Sequence, residues 1–222
     1  MTKSMTKTLI LDLDGTLVDS VPDLAAALNR LMGARGLETF SLAATAAMVG
    51  DGTRALVERA FAARGRQADD EAQVSFLADY SAHVAVATRP FPGAEAALRA
   101  LTRQGWRLAV CTNKPLAPAR ALLKALGLFP FFATIGAGDS FAVQKPDPRH
   151  LLATLAAAGG TPGQAVMLGD HAHDVAAARG AGLPCIFAAW GYGPPAMAVG
   201  AAATAETFSE VAEVAARLLP AA

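Results

Sequence analysis

The sequence predicts an α/β protein: a parallel sheet flanked by helices, with an all-helical block inserted after the first strand. Three observations lead there. Five short apolar runs, each ending in or near polar residues, recur along the chain. Segments with helix caps and helical spacing separate four of them. One stretch, from Val21 to Ala87, has helix signals and no strand run. Strands that alternate with helices imply βαβ units and hence a parallel sheet.

The first run is Leu9-Ile10-Leu11, apolar enough to be buried on both faces. It ends at Asp12 and Asp14, and the chain turns at Gly15. Residues two apart on a strand point the same way, so the two carboxylates address one point in space. An ionised group taken out of water is costly unless paired or liganded, so this placement calls for a ligand or a partner. Ser20 and Pro22 then open a helix carrying Leu24, Leu28 and Leu31. Thr53–Arg64 and Asp70–Ala87 read as further helices, and Phe91-Pro92-Gly93 as the hinge back into the sheet.

From there the alternation is regular. A helix over Ala94–Gln104 stops at Gly105, and a strand follows over Arg107–Asn113. Leu116–Leu126 is helical and ends at Gly127, a natural C-terminal cap. A shorter strand runs over Phe131–Gly136. Asp147-Pro148 opens a helix towards Gly159. Ala165–Asp170 is the fourth strand, Ala172–Ala181 a helix and Pro184–Ala189 the fifth strand. Thr207 and Glu210 have capping-box spacing, and Phe208, Val211, Ala215 and Leu218 follow at helical period.

Composition narrows the function. The 222 residues are 53% hydrophobic, enough for a substantial core. Lys+Arg and Asp+Glu both number 19, so net charge gives no general case for nucleic acid or an anionic membrane as partner. The cysteines, Cys111 and Cys185, have no metal-type spacing and make no disulfide framework, which leads to the expectation of a reducing, cytoplasmic setting. The uncharged stretches Leu151–Gly169 and Gly180–Ala205 are broken by Gly and Pro, so no membrane span is expected. The repeated M-T-K leaves Met1 and Met5 as alternative starts. No pattern in the sequence specifies an oligomeric state.

In parallel α/β sheets ligands bind beyond the carboxyl ends of the strands. Those ends carry Asp12 and Asp14, then Thr112 and Asn113, then Gly169 and Asp170 with Asp174 one turn on; Lys145 lies in the loop after the third strand. Carboxylates with retained waters suit Mg²⁺. A hydroxyl, an N–H and a lysine suit phosphate oxygens. A carboxylate approaching a phosphate meets repulsion of about 4 kcal/mol per charge pair at 4 Å and an effective dielectric near 20. A divalent ion and Lys145 would cancel it.

D-L-D-G-T-L-V-D-S, C-T-N-K, Q-K-P-D-P and G-D-H-A-H-D, in this order, resemble the four motifs of the haloacid dehalogenase superfamily of phosphatases. The resemblance covers nearly the whole chain. It implies a Rossmann-like three-layer core over 1–18 and 89–222, and a helical cap over 19–88. Asp12 would be the nucleophile, forming an aspartyl-phosphate, and Asp14 the general acid and then base. Thr112, the Asn113 N–H and Lys145 would hold the phosphoryl group. Asp12, the Asp14 carbonyl and Asp170 would hold Mg²⁺, with Thr16, Gly169 and Asp174 in support. V-G-D-G-T-R-A-L and F-P-G resemble the phosphoglycolate phosphatase branch, which implies 2-phosphoglycolate as substrate; Arg54 and the Gly50-Asp51-Gly52 loop read either as a plain helix start or as a loop that closes over the substrate, with Arg54 pairing its carboxylate. Other small phosphorylated metabolites (a sugar phosphate or pyrophosphate), a phosphomutase reaction and a phospho-accepting signalling domain are the alternatives.

Some residues fall outside those motifs. His171 and His173 tempt a zinc reading, but further ligands are not visible and a solvated loop is the expectation. His83 and His150 read as surface or helix-face residues, Cys111 as small and buried, and Asp19 as a loop or cap residue. Lys114 is open between a solvated charge and part of a basic mouth.

Overall fold

The computed structural model describes residues 6–219; the question of Met1 or Met5 lies outside them. The chain begins with strand β1 (Thr8–Leu11), then β2 (Val18–Asp19). Helices α1 (Val21–Ala34), α2 (Leu42–Ala46), α3 (Gly52–Ala62) and α4 (Asp70–Ala82) follow, and β3 (Arg89–Pro90) returns. The rest alternates: α5 (Ala94–Arg103), β4 (Arg107–Cys111), α6 (Leu116–Ala125), β5 (Thr134–Gly136), α7 (Pro148–Ala157), β6 (Ala165–Gly169), α8 (Ala172–Gly180), β7 (Cys185–Ala188), β8 (Ala203–Ala205) and α9 (Phe208–Leu218).

The main sheet has six strands in the order β5-β4-β1-β6-β7-β8, all parallel. The β1 strand is central: Thr8 to Leu11 pair with Arg107 to Val110 on one side and Ala165 to Leu168 on the other. Its residues are fully buried because both faces are covered. Leu9, Leu11, Leu108, Val110, Val166 and Leu168 pack with α5, α6 and α9, and this cluster continues into α1, α3 and α4. Ile10, Ala109 and Met167 face the opposite way, against α7 and α8. The period-2 alternation of the strands thus divides the core into two layers of apolar contact. No helix among the described residues is long and apolar enough to cross a membrane.

A two-strand antiparallel ribbon, Val18 opposite Pro90 and Asp19 opposite Arg89, carries the chain out to the helical segment and back. Asp23, buried in the first turn of α1, ties the two crossings together. Its carboxylate accepts from the backbone N–H groups of Ala87 and Thr88 and from the Thr88 hydroxyl, at 2.7–3.0 Å. The α4 helix stops at Ala82 rather than running to Ala87, and the Ala87 and Thr88 N–H groups beyond it are held by Asp23.

Other sequence expectations shift in detail. Ser20 precedes α1 but does not cap it; its hydroxyl donates to Asp14 Oδ1 at 2.5 Å. Thr207 and Glu210 bond to each other through their side chains rather than to the helix backbone. The β8 strand lacks a sequence signal because Ala-Thr-Ala has little apolar character; it forms by adding to the open edge of β7. The short ribbon and α2 are equally silent in sequence.

Candidate active site

Asp12, Asp14, Thr112, Asn113, Asp170, Asp174 and Lys145 meet at one end of the sheet. Asp12 follows β1 directly, and its N–H donates to the Leu168 carbonyl, so the β1 ladder continues into the site. Gly15, with φ of 83°, makes the turn that brings Thr16 back under Asp170; a Cβ there would overlap the Asp170 carboxylate.

The central ion cluster is Lys145 between two aspartates. Its Nζ is 2.9 Å from Asp12 Oδ1 and 2.6 Å from Asp174 Oδ1. Burial alone pulls the ammonium's pKa down, but Asp12 and Asp174 more than reverse this, so Lys145 stays charged. Asp12 moves the other way. Burial first, then Asp174 and Asp170, raise it to about 7 against the pull of Lys145. The ion pair to Lys145 is not aligned as a hydrogen bond, and Asp12 Oδ1 is buried with no hydrogen-bond partner among the described residues.

Asp170, fully buried, accepts from the Thr16 hydroxyl at 2.7 Å, the Tyr192 N–H at 2.8 Å and the Gly193 N–H at 3.4 Å, and His171 Nδ1 lies 3.1 Å away. Burial opposes its ionisation, but His171, Thr16 and the Tyr192 N–H together hold its pKa below the usual value. The G-Y-G turn is what lets the backbone come this close: a Cβ on Gly191 or Gly193 would overlap Asp170. Gly169 is pressed equally tightly against Asp174. Both oxygens of Asp174 are committed, one to Lys145 and the other to the His171 N–H at 3.1 Å.

Asp12, Asp170 and Asp174 each place a carboxylate oxygen within 4.8 Å of the others. The donors are hard oxygens, as Mg²⁺ requires. Four carboxylates, counting Asp14, face two lysines, Lys145 and Lys114, so the cluster is short of positive charge. Asp12 Oδ1 meets Lys145 as an ion pair without accepting a hydrogen bond, which leaves it lone-pair capacity for a ligand. Both oxygens of Asp170 and of Asp174 already accept hydrogen bonds, so either would hold a metal through a remaining lone pair; Asp174 is in addition ion-paired to Lys145.

Thr112 follows β4, and its N–H donates to Gly136 on β5. The Asn113 amide is anchored to the Lys145 carbonyl at 3.0 Å and to the Gly50 carbonyl at 3.2 Å, which fixes the loop after β4 against both neighbours. Asp12, Asp14, Thr112, Asn113 and Lys114 form the floor of a cavity of about 20 Å³, measured to water centres, roofed by Leu24, Val49 and Leu56 of the helical segment. That is room for about one or two waters.

Three placements differ from the sequence reading. Arg54 is not brought to the cavity: its side chain is 67% exposed and pairs with Glu58 and Asp70 at 3.6 and 3.5 Å. The helical phase of α3 turns Leu56 and not Arg54 inward. His171 is no solvated residue but buried against Asp170, and His150 is fully buried beneath the Lys145 loop, its Nδ1 accepting from the Lys145 N–H at 3.1 Å. Lys114, left open by the sequence, is buried with its Nζ 2.9 and 3.1 Å from the two oxygens of Asp14. Tyr192 and Trp190, which bond to Asp19 and to the Thr16 carbonyl, carried no sequence signal beyond their G-Y-G turn.

The chain matches known proteins along most of its length. Residues 6–182 match the family model of haloacid dehalogenase-like hydrolases. A phosphoglycolate phosphatase of Rhodospirillum rubrum is 44% identical over 218 residues, covering 94% of this chain and 90% of that protein. One of Caulobacter vibrioides is 40% identical over 217 residues, covering 96% and 92%. Among solved structures, a predicted phosphoglycolate phosphatase of Haemophilus somnus superposes with a TM-score of 0.88 at 27% identity, covering 96% of this chain and 99% of that one.

Proposed function

Since the chain belongs to the haloacid dehalogenase-like hydrolase family and is a phosphatase of that family, we propose that it hydrolyses 2-phosphoglycolate to glycolate and phosphate with Mg²⁺ beside Asp12. The cavity carries the substrate reading. It is small, roofed by apolar side chains, and floored by Asp12, Asp14 and a lysine. Two carboxylates and a lysine under an apolar roof suit a short anionic ester, and with room for about one or two waters the roof has to move for it to enter. The relatives of Rhodospirillum rubrum and Caulobacter vibrioides, matched over nearly the full chain, support it.

Asp12 is the nucleophile: its oxygen bonds to phosphorus as the P–O ester bond breaks, giving an aspartyl-phosphate. Asp14 protonates the departing alkoxide. As carboxylate it then takes a proton from the water that attacks phosphorus, and the bond to Asp12 breaks to release phosphate. Lys145 keeps Asp12 oriented and offsets phosphate charge, while Asp174 fixes Lys145. Thr112 and the Asn113 N–H hold the transferring group. Mg²⁺ would sit on Asp12, the Asp14 carbonyl and Asp170, where it supplies charge neutralisation of the phosphoryl oxygens; Thr16 and Gly169 support that loop. Residues 19–88 act as a cap that keeps bulk water off the intermediate. Arg54, facing outward, has no part in this scheme.

The test is release of inorganic phosphate from 2-phosphoglycolate in excess Mg²⁺, with Asp12→Asn as blank. Mg²⁺-dependent release absent from the blank is expected. Release that persists in Asp12→Asn would refute the nucleophile, and no release from 2-phosphoglycolate would refute the substrate.

A further inference from the structure

The cavity holds one cation whose position the hydrolytic scheme does not require. Among the described residues lining it, Lys114 is the sole cationic side chain. Its side chain is 2% exposed, and its Nζ reaches both oxygens of Asp14. Below it lies the ring of Tyr80, a residue of α4, with Nζ 4.4 Å from the ring centroid. The Tyr80 hydroxyl is buried and has no hydrogen-bond partner among the described residues. It stands close enough to the ammonium to favour the charged form, but not aligned as a hydrogen bond. The ammonium lines the cavity, and the orphaned Tyr80 hydroxyl is buried beside it, just outside the lining residues.

We propose that Lys114, with the Tyr80 hydroxyl as second donor, receives the carboxylate of the substrate and so sets the preference for esters bearing an acid next to the ester carbon. The inference rests on the phosphatase reading above and names the residues behind its specificity. Asp14 has to lie at the leaving oxygen to protonate it. In a 2-phospho acid the carboxylate is separated from that oxygen by a single carbon. A group that contacts Asp14 is therefore within reach of the carboxylate as well. The lining of the cavity favours the same arrangement: Lys114 is its one cationic side chain among the described residues, so a carboxylate buried there finds its counter-ion in Lys114. The uncharged alkyl group of an ester without the acid makes no such contact. Arg54, the other cation considered, is turned away from the cavity and already paired.

The experiment compares kcat/KM for 2-phosphoglycolate and for ethyl phosphate, which keeps the ester and lacks the acid, in wild type, Lys114→Met and Tyr80→Phe. Wild type is expected to prefer 2-phosphoglycolate. Lys114→Met should lower that preference about 100-fold and Tyr80→Phe about fivefold, in line with loss of a charged and a neutral hydrogen bond. Ethyl phosphate turnover should also fall in Lys114→Met because Asp14 loses its partner, but by less. If both esters fall equally, Lys114 only positions Asp14 and the proposal is overturned. Should Lys114→Met fail to fold, Tyr80→Phe decides, and an unchanged preference there overturns it. A wild type without preference for 2-phosphoglycolate would instead refute the substrate reading itself, which keeps the two failures apart.

Discussion

Nε2 of His173 lies 2.6 Å from Oδ1 of Asp51 and joins the first turn of α8, just after Asp170, to the turn that opens α3. Arg59 also binds Asp51, and His171, in contact with Asp170, stacks on His173 with ring centroids 5.5 Å apart. Gly50 lies against both imidazoles, where a Cβ would come within 2.9 Å of His171. The inserted helices are thus fastened beside the aspartate cluster. Asp51→Asn should weaken closure by about 1 kcal/mol or less, the scale of a partly exposed pair. Steady-state kinetics should show KM rising about three- to fivefold with kcat nearly kept; a fall in kcat at constant KM would argue against a closing role.

The two aspartates of D-L-D should respond differently to the leaving group. Asp14→Asn removes the proton donor but keeps the nucleophile, so turnover of 2-phosphoglycolate should fall about 10²–10⁴-fold. An aryl ester such as p-nitrophenyl phosphate leaves without protonation and should still phosphorylate Asp12. A pre-steady-state burst of nitrophenol from Asp14→Asn would show this. No burst would place Asp14 in another role.

Gly191 is held against Asp170 so closely that a Cβ would overlap its side chain. Gly191→Ala should displace Asp170 from its hydrogen bonds to Thr16 and Tyr192 while leaving the sheet intact. The Mg²⁺ concentration for half-maximal activity should rise about 10–100-fold, as for loss of groups that orient a ligand. Chelation should abolish turnover in wild type and be reversed by added Mg²⁺. An unchanged metal requirement in Gly191→Ala would separate Asp170 from metal binding.

His150 predicts an acid limit on stability. Burial first, then Lys145, depress its pKa from 6.5 to about 4. The unfolded chain takes up a proton near pH 6.5 that the folded chain refuses until about pH 4. This contribution is therefore complete above pH 6.5 and is lost as pH falls through that window, up to about 3 kcal/mol in all. In His150→Gln the difference in unfolding free energy between pH 7 and pH 5 should be smaller than in wild type. Equal slopes would mean that His150 is accessible to protons in the folded state.

The sequence by itself determined five of the six strands of the main sheet, the helices between them and the identity of the strand-end groups. Strands such as Leu9–Leu11 must be apolar to be buried on both faces, and Asp12, Asp14, Thr112 and Asp170 stand out because polar groups at the ends of such runs are costly without a purpose. These are local patterns, and a linear reading captures them. It could not rank the cations. Arg54 and Lys114 are both basic residues next to glycine-containing or polar loops, yet the phase of α3 turns Arg54 to solvent while α4 lays the Tyr80 ring under Lys114. Nor could it bury His171 and His150 or close His173 on Asp51, because each contact joins elements distant in sequence. Which charges reach the cavity was decided only by how helices α1–α4 pack against the strand ends, since a charge's burial depends on its neighbours in space and not on its neighbours in the chain.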